Sequence, residues 1–184
     1  MNTAMSGLAL LFSALAFVLS LTVARRTKQI VEASAGRPPI PVTPIGKAFP
    51  DAAPLLSSRG EVAPLGGEMS DSVILGIFSS GCSGCADQLP LFKEVLATHH
   101  VDRGRVVAVL VGQDRLADEF ERSLEEVAVV IRQEVEGPVL APLGIRNFPA
   151  FGVVSETGLI RTWGDGAVSL KKVMNEFGRR PEDV

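Results

Sequence analysis

Two cysteines, three positions apart, are the only thiols in the chain: Cys82-Ser83-Gly84-Cys85. An apolar run, Val73-Ile74-Leu75-Gly76-Ile77-Phe78, leads into them, and Leu89, Phe92, Val95 and Leu96 follow at helical steps. A strand, a tight turn, the Cys-x-x-Cys and a helix form the arrangement of a redox dithiol. With the helix starting at the motif, Cys82 falls near its first turn, where unpaired N–H groups and the helix dipole favour a thiolate. That thiolate is the nucleophile of thiol–disulfide exchange, and Cys85 is placed to resolve the mixed disulfide. Ser83 and Gly84 are small enough to admit a partner chain. Two other readings of the pair are half of a zinc site and an inert structural disulfide. A zinc site needs further ligands, and the chain has no third cysteine and only the adjacent His99 and His100, which suit a helix end better than a metal. No metal is expected.

The elements that must position the pair can be read from hydrophobic patterning. Residues 73–79 read as a buried central strand and 83–98 as the helix carrying the dithiol, kinked by Pro90. Arg105–Val111 reads as a buried parallel strand. Arg115–Glu126 reads as a surface helix with Leu116, Phe120 and Leu124 on its apolar stripe. Val127–Ile131 is either a third strand or the end of that helix. A short helix is expected within Gly137–Leu143. Ala150–Ser155 and Leu159–Trp163 flank Glu156-Thr157-Gly158 as an antiparallel hairpin, with Trp163 packing on it. Gly164-Asp165-Gly166 reads as a loop before a C-terminal helix, Ser169–Phe177, ended by Gly178. The order gives an α/β fold with a central mixed sheet and helices on both faces.

Ahead of this domain, residues 7–24 are eighteen uncharged residues, roughly 27 Å as a helix, long enough to cross a bilayer. A cleaved signal peptide is the rival, but Met1–Ser6 carries no Lys or Arg. The expected organisation is a transmembrane anchor over 1–24, a proline-rich spacer over 25–46 and one domain over 47–184. Arg25, Arg26 and Lys28 follow the span and, by the positive-inside rule, argue for a cytoplasmic domain. A net charge of −3 gives no basic footprint for nucleic acid, and one Trp without any Tyr gives no stacking platform.

Cys82-Ser83-Gly84-Cys85 with Pro90 beyond it resembles the thioredoxin fold. The apolar N-terminus, the segment Pro44–Pro50 and Ile145-Arg146-Asn147-Phe148-Pro149-Ala150-Phe151 resemble the membrane-anchored TlpA-like and MauD-like branch, over roughly residues 44–178. The resemblance implies a protein thiol–disulfide oxidoreductase that needs no cofactor. It would exchange electrons with disulfide-bearing or dithiol proteins and reduce them during extracytoplasmic maturation. It implies a cell-membrane location with the domain outside, against the charges after the span. It also implies that Pro149 follows a cis peptide and faces the dithiol, that Phe148 and Pro149 hold the substrate backbone, and that residues 47–70 include a small added hairpin. Two positions depart from the pattern. The residue before Cys82, often Trp, is Gly81, which leaves a permissive surface beside the site. The carboxylate that relatives place three residues after the second cysteine is Gln88, which cannot act as a base near neutral pH. Asp87, water and Asp114 are the remaining candidates for the Cys85 proton. An adaptor with a structural disulfide is the non-enzymatic alternative. A thiol peroxidase is a third reading, without the Thr-x-x-Cys it would need.

Overall fold

The run Val73–Ser79 forms β1, the middle strand of a five-stranded sheet, in a computed structural model that describes residues 44–50, 55–65 and 69–178. The apolar stretch 7–24 and most of the spacer lie outside the described residues. Strand order is β3-β2-β1-β4-β5, with β2 Val106–Val111, β3 Val129–Gln133, β4 Ala150–Val154 and β5 Ile160–Asp165. β1 is parallel to β2, with Leu75 beside Val107, and antiparallel to β4, with Gly76 beside Phe151. β2 is parallel to β3, and β4 is antiparallel to β5, so the sheet is mixed. Strands covered on both faces need no alternation of polar residues, which is why β1 and β2 read as continuous apolar runs.

One face of the sheet carries the three long helices: α1 Ser83–Thr98, α2 Arg115–Leu124 and α4 Gly166–Phe177. Phe78, Phe92 and Phe151 meet beneath α1 with ring centroids 5.3–5.8 Å apart and fix that helix to the sheet. The other face is covered by a single turn of helix, α3 Leu140–Leu143, and by the irregular N-terminal segment through Phe49 and Ala63. Helices therefore lie on both faces, but unevenly. Trp163 packs into this second layer, its ring lying on Gly152, where an added Cβ would come within 2.7 Å of it.

α1 runs through Pro90 to Thr98. Pro90 deprives the Ala86 carbonyl of its usual donor, and both residues are exposed, where water can replace it. The helix ends as His100 takes φ 51° and the Val101 N–H returns to the Leu96 carbonyl at 3.0 Å, so the two histidines serve the helix end. In α2 the buried positions are Ala117 and Leu124, whereas Leu116, expected on the inner stripe, is 52% exposed. The small Ala117 lets α2 approach Gly112, and the Asp114 cap sets the helix phase one residue away from Leu116.

Val127 and Ala128 close α2 through the Leu124 carbonyl, so the third strand starts only at Val129. The expected loop at Gly164–Gly166 is not one. Gly164 and Asp165 extend β5 opposite Phe151 and Ala150, and Gly166, at φ 72°, turns the chain into α4 within one residue. α4 thus begins three residues before Ser169.

Among the described residues, Pro44–Gly46, read as the end of the spacer, already belong to the folded domain. Gly46 donates to the Ile160 carbonyl at 2.8 Å and Phe49 to the Gly158 carbonyl at 2.7 Å, extending the sheet beyond β5. Leu56 and Val62 form a one-bridge hairpin, held down by Arg103, which grips both Glu61 oxygens at 3.2 and 2.8 Å.

Candidate active site

β1, the middle strand, ends at Ser79, and the chain must turn sharply to enter α1. Ser80 holds that turn: its N–H donates to the Val111 carbonyl at 3.0 Å and its hydroxyl to Asp114 Oδ2 at 3.3 Å. The Cys82 N–H closes on the Ser79 carbonyl at 3.2 Å. Cys82 then occupies the N-cap of α1 in an extended conformation, φ −107° and ψ 113°. The first turn of the helix carries no acidic residue that would oppose a negative charge there.

The two thiols are free and differ in environment. Cys82 is half-buried and Cys85 fully buried against the aromatic layer. Burial pushes the Cys85 thiol up to about 12; the Ser79 N–H, 3.3 Å from its sulfur, opposes this, and the neighbouring Cys82 sulfur adds to it. At neutral pH Cys85 is therefore a protonated, sheltered thiol.

The Phe148–Pro149 peptide is cis, as the resemblance implied. The loop that contains it faces the dithiol: the Cys82 thiol donates to the Phe148 carbonyl at 3.4 Å. A Cβ on Gly84 would lie 3.8 Å from Cys82 Sγ and 3.9 Å from Pro149 Cδ, so Gly84 stands beside both the nucleophile and the proline. The Gly166 N–H donates to the Pro149 carbonyl at 3.0 Å, and Asn147 Nδ2 to Asp165 Oδ2 at 3.1 Å, tying the loop to the start of α4. Gly81 is exposed with open space where a side chain would stand.

Cys82, Cys85, Phe148 and Pro149 thus converge, with Gly81 at the open side. Asp114, a candidate proton acceptor in sequence, is occupied otherwise: Oδ1 caps α2 through the Ala117 N–H at 2.8 Å and Oδ2 holds Ser80. Asp87 is exposed on α1. Gln88 turns its amide toward Gly166, with Oε1 buried and unpaired. Sequence reasoning missed the Ser79 N–H on Cys85, the Ser80 strap and the contact of Cys82 with the Phe148 carbonyl, although Phe148 itself is reached through the resemblance. The Ser79 N–H and Phe148 carbonyl leave no side-chain signal, whereas Ser80 follows β1 directly and Asp114 stands three residues after β2. Among the described residues, no three His, Cys, Asp or Glu side chains are grouped to hold a metal.

A mixed sheet with a dithiol at the β1–α1 junction and a cis-proline loop opposite it defines a thioredoxin-like domain. Solved structures agree on the fold. The thioredoxin domain of a thiol-disulfide oxidoreductase from Bacteroides vulgatus aligns with TM-score 0.53 and 18% identity, over 73% of this chain and 98% of that one. StoA from Bacillus subtilis aligns with TM-score 0.55 and 21% identity, over 72% and 99%. A Chlorobium tepidum protein assigned as the thiol:disulfide interchange protein DsbE aligns with TM-score 0.51 and 21% identity, over 72% and 92%. No family model matches the sequence, and no curated protein is detectably similar to it in sequence.

Proposed function

We propose that this protein is a thiol–disulfide oxidoreductase acting on partner proteins. The observation that carries the reading is the asymmetry of the dithiol: Cys82 is reachable at a helix N-cap, and Cys85 is buried and protonated behind it. The Cys82 thiolate attacks one sulfur of a partner disulfide; a mixed disulfide forms, and the other partner sulfur leaves as a thiolate. Cys85 then gives up its proton and attacks the Cys82 sulfur. The Cys82–Cys85 bond forms, the mixed disulfide breaks and the partner leaves with two thiols, two electrons richer. A Cys85 thiol pushed up to about 12 does not compete with Cys82 for the partner. Phe148 and Pro149 hold the partner's backbone, and Gly81 leaves room beside it. Reduction of insulin disulfides by the full chain tests the reading. Turnover that disappears in Cys82→Ala supports it; an unmodified chain without turnover leaves the adaptor.

Within that activity we assign the chain to the TlpA-like and MauD-like branch, acting as a reductase in extracytoplasmic protein maturation. Residues 7–24 anchor it as a single span, residues 25–46 act as spacer, and the domain from 47 onward lies outside the cytoplasm. The supports are the uncharged run at 7–24 and the neighbouring structures of thiol:disulfide exchange proteins. Equilibrating the full chain with glutathione buffers tests the direction. A potential near the thioredoxin value, about −270 mV, supports a reductase, and one near about −120 mV makes it an oxidant. Protease access to the domain in sealed spheroplasts tests the topology: protection from added protease places it in the cytoplasm.

A further inference from the structure

Phe148 offers an incoming strand two main-chain groups. Among the described residues its N–H has no hydrogen-bond partner. Its carbonyl accepts from the Cys82 thiol at 3.4 Å. The next residue is a poorer partner: Pro149 has no N–H, and its carbonyl already accepts from Gly166 at 3.0 Å. A partner pairing here therefore has to share the acceptor that the nucleophile already uses, with one lone pair left to it.

We propose that the Cys82 thiol and a partner's main-chain N–H compete for the Phe148 carbonyl, so that the dithiol form binds an extended partner more weakly than the disulfide form does. The inference rests on the reading of Phe148 as a substrate-docking residue. The chemistry of sulfur supplies the switch. A thiol carries a hydrogen to donate, whereas a thiolate and a disulfide sulfur carry none. When Cys82 and Cys85 pass two electrons to a partner disulfide and two protons to the partner and solvent, the donor disappears. In the mixed disulfide, too, the Cys82 sulfur is bonded to sulfur and has no hydrogen. The carbonyl is thus open while the partner is covalently attached and remains open in the disulfide product. Only return of the protein to its dithiol state restores the competitor, so re-reduction also helps to expel the spent partner. The coupling is reciprocal, because a partner seated on the carbonyl removes the thiol's acceptor.

One weak neutral donor sets the scale at about two- to five-fold in affinity, the lower part of what a single hydrogen bond contributes. The test measures binding of a labelled, end-blocked, cysteine-free peptide of alternating valine and threonine to the full chain in detergent, by fluorescence anisotropy. Four forms are compared: the disulfide, the dithiol, and Cys82→Ala and Cys82→Ser, each of the two variants in a Cys85→Ala background. The disulfide and Cys82→Ala forms bind about two- to five-fold more tightly than the dithiol and Cys82→Ser forms, since a serine hydroxyl can still donate. Equal affinities of the alanine and serine variants, or no binding by any form, overturn the proposal. Insulin turnover by the unmodified chain, measured alongside, separates the two readings. Turnover with donor-independent binding sinks the competition alone; donor-dependent binding without turnover sinks the oxidoreductase reading and leaves the competition standing.

Discussion

The N–H of Ser79, the last residue of the central strand, donates to the buried sulfur of Cys85 at 3.3 Å. The sheet thus holds the second thiol directly, while the first is held only by the helix end and the proline loop. Iodoacetamide added to the reduced, folded chain near neutral pH should label Cys82 alone. A second adduct, on Cys85, should appear only on unfolding. Equal labelling of both cysteines under native conditions, read by peptide mass spectrometry, would contradict the asymmetry.

The same burial makes stability depend on pH in the alkaline range. Cys85 moves from an ordinary value of 9.0 to about 12 in the folded chain. Between those values the unfolded thiol has lost its proton and the folded one keeps it, so the folded state binds more protons and stability falls as pH rises. The contribution is complete below pH 9.0 and lost by about 12, at a slope of up to about 1.4 kcal/mol per pH unit. Urea denaturation of the reduced chain should show this slope in excess of that of Cys85→Ala. The disulfide form, which has no thiol to titrate, should not show it.

Asp114 has a structural assignment that can be separated from a catalytic one. Loss of the α2 cap in Asp114→Ala should lower stability by about 0.5–2 kcal/mol. Asp114→Asn, which keeps an acceptor oxygen, should leave the pH profile of mixed-disulfide resolution by Cys85 unchanged. A profile that moves in the asparagine variant would return Asp114 to the proton path.

Gly152 lies against the Trp163 ring and the Thr162 carbonyl, which an added Cβ would approach to 2.7 and 3.0 Å. Both neighbours sit in the sheet and have little room to give. Gly152→Ala should therefore cost about 1–3 kcal/mol through overpacking, read by urea denaturation followed by circular dichroism. An unchanged midpoint would show that β4 and β5 can part locally.

What could be read in the sequence follows from how much each element depends on its own residues. β1, β2 and α1 carry their signal in their own residues, as apolar runs and a helical repeat, and the structure places them at Val73–Ser79, Val106–Val111 and Ser83–Thr98. The cis bond before Pro149 could be expected only through the family resemblance, because nothing local to Phe148 forces it. The α2 stripe misled because Leu116 is apolar yet exposed, while the small Ala117 takes the buried position. Gly164-Asp165-Gly166 has loop composition, and its pairing with Phe151 and Ala150 is a long-range fact. The Ser80–Asp114 strap and the contacts of Ser79 and Phe148 likewise join residues distant in sequence, several through main-chain atoms common to every residue type.

Trp163, the sole tryptophan, is buried in the layer opposite the one that holds Cys85. With Gly81 beside the dithiol, no indole stands where a disulfide could quench it. The intrinsic emission of the chain should therefore be nearly blind to whether Cys82 and Cys85 are joined, and follow instead the integrity of the β4–β5 layer. Folding and electron transfer would then be two optically separate events, and a redox titration of this protein would need an introduced chromophore.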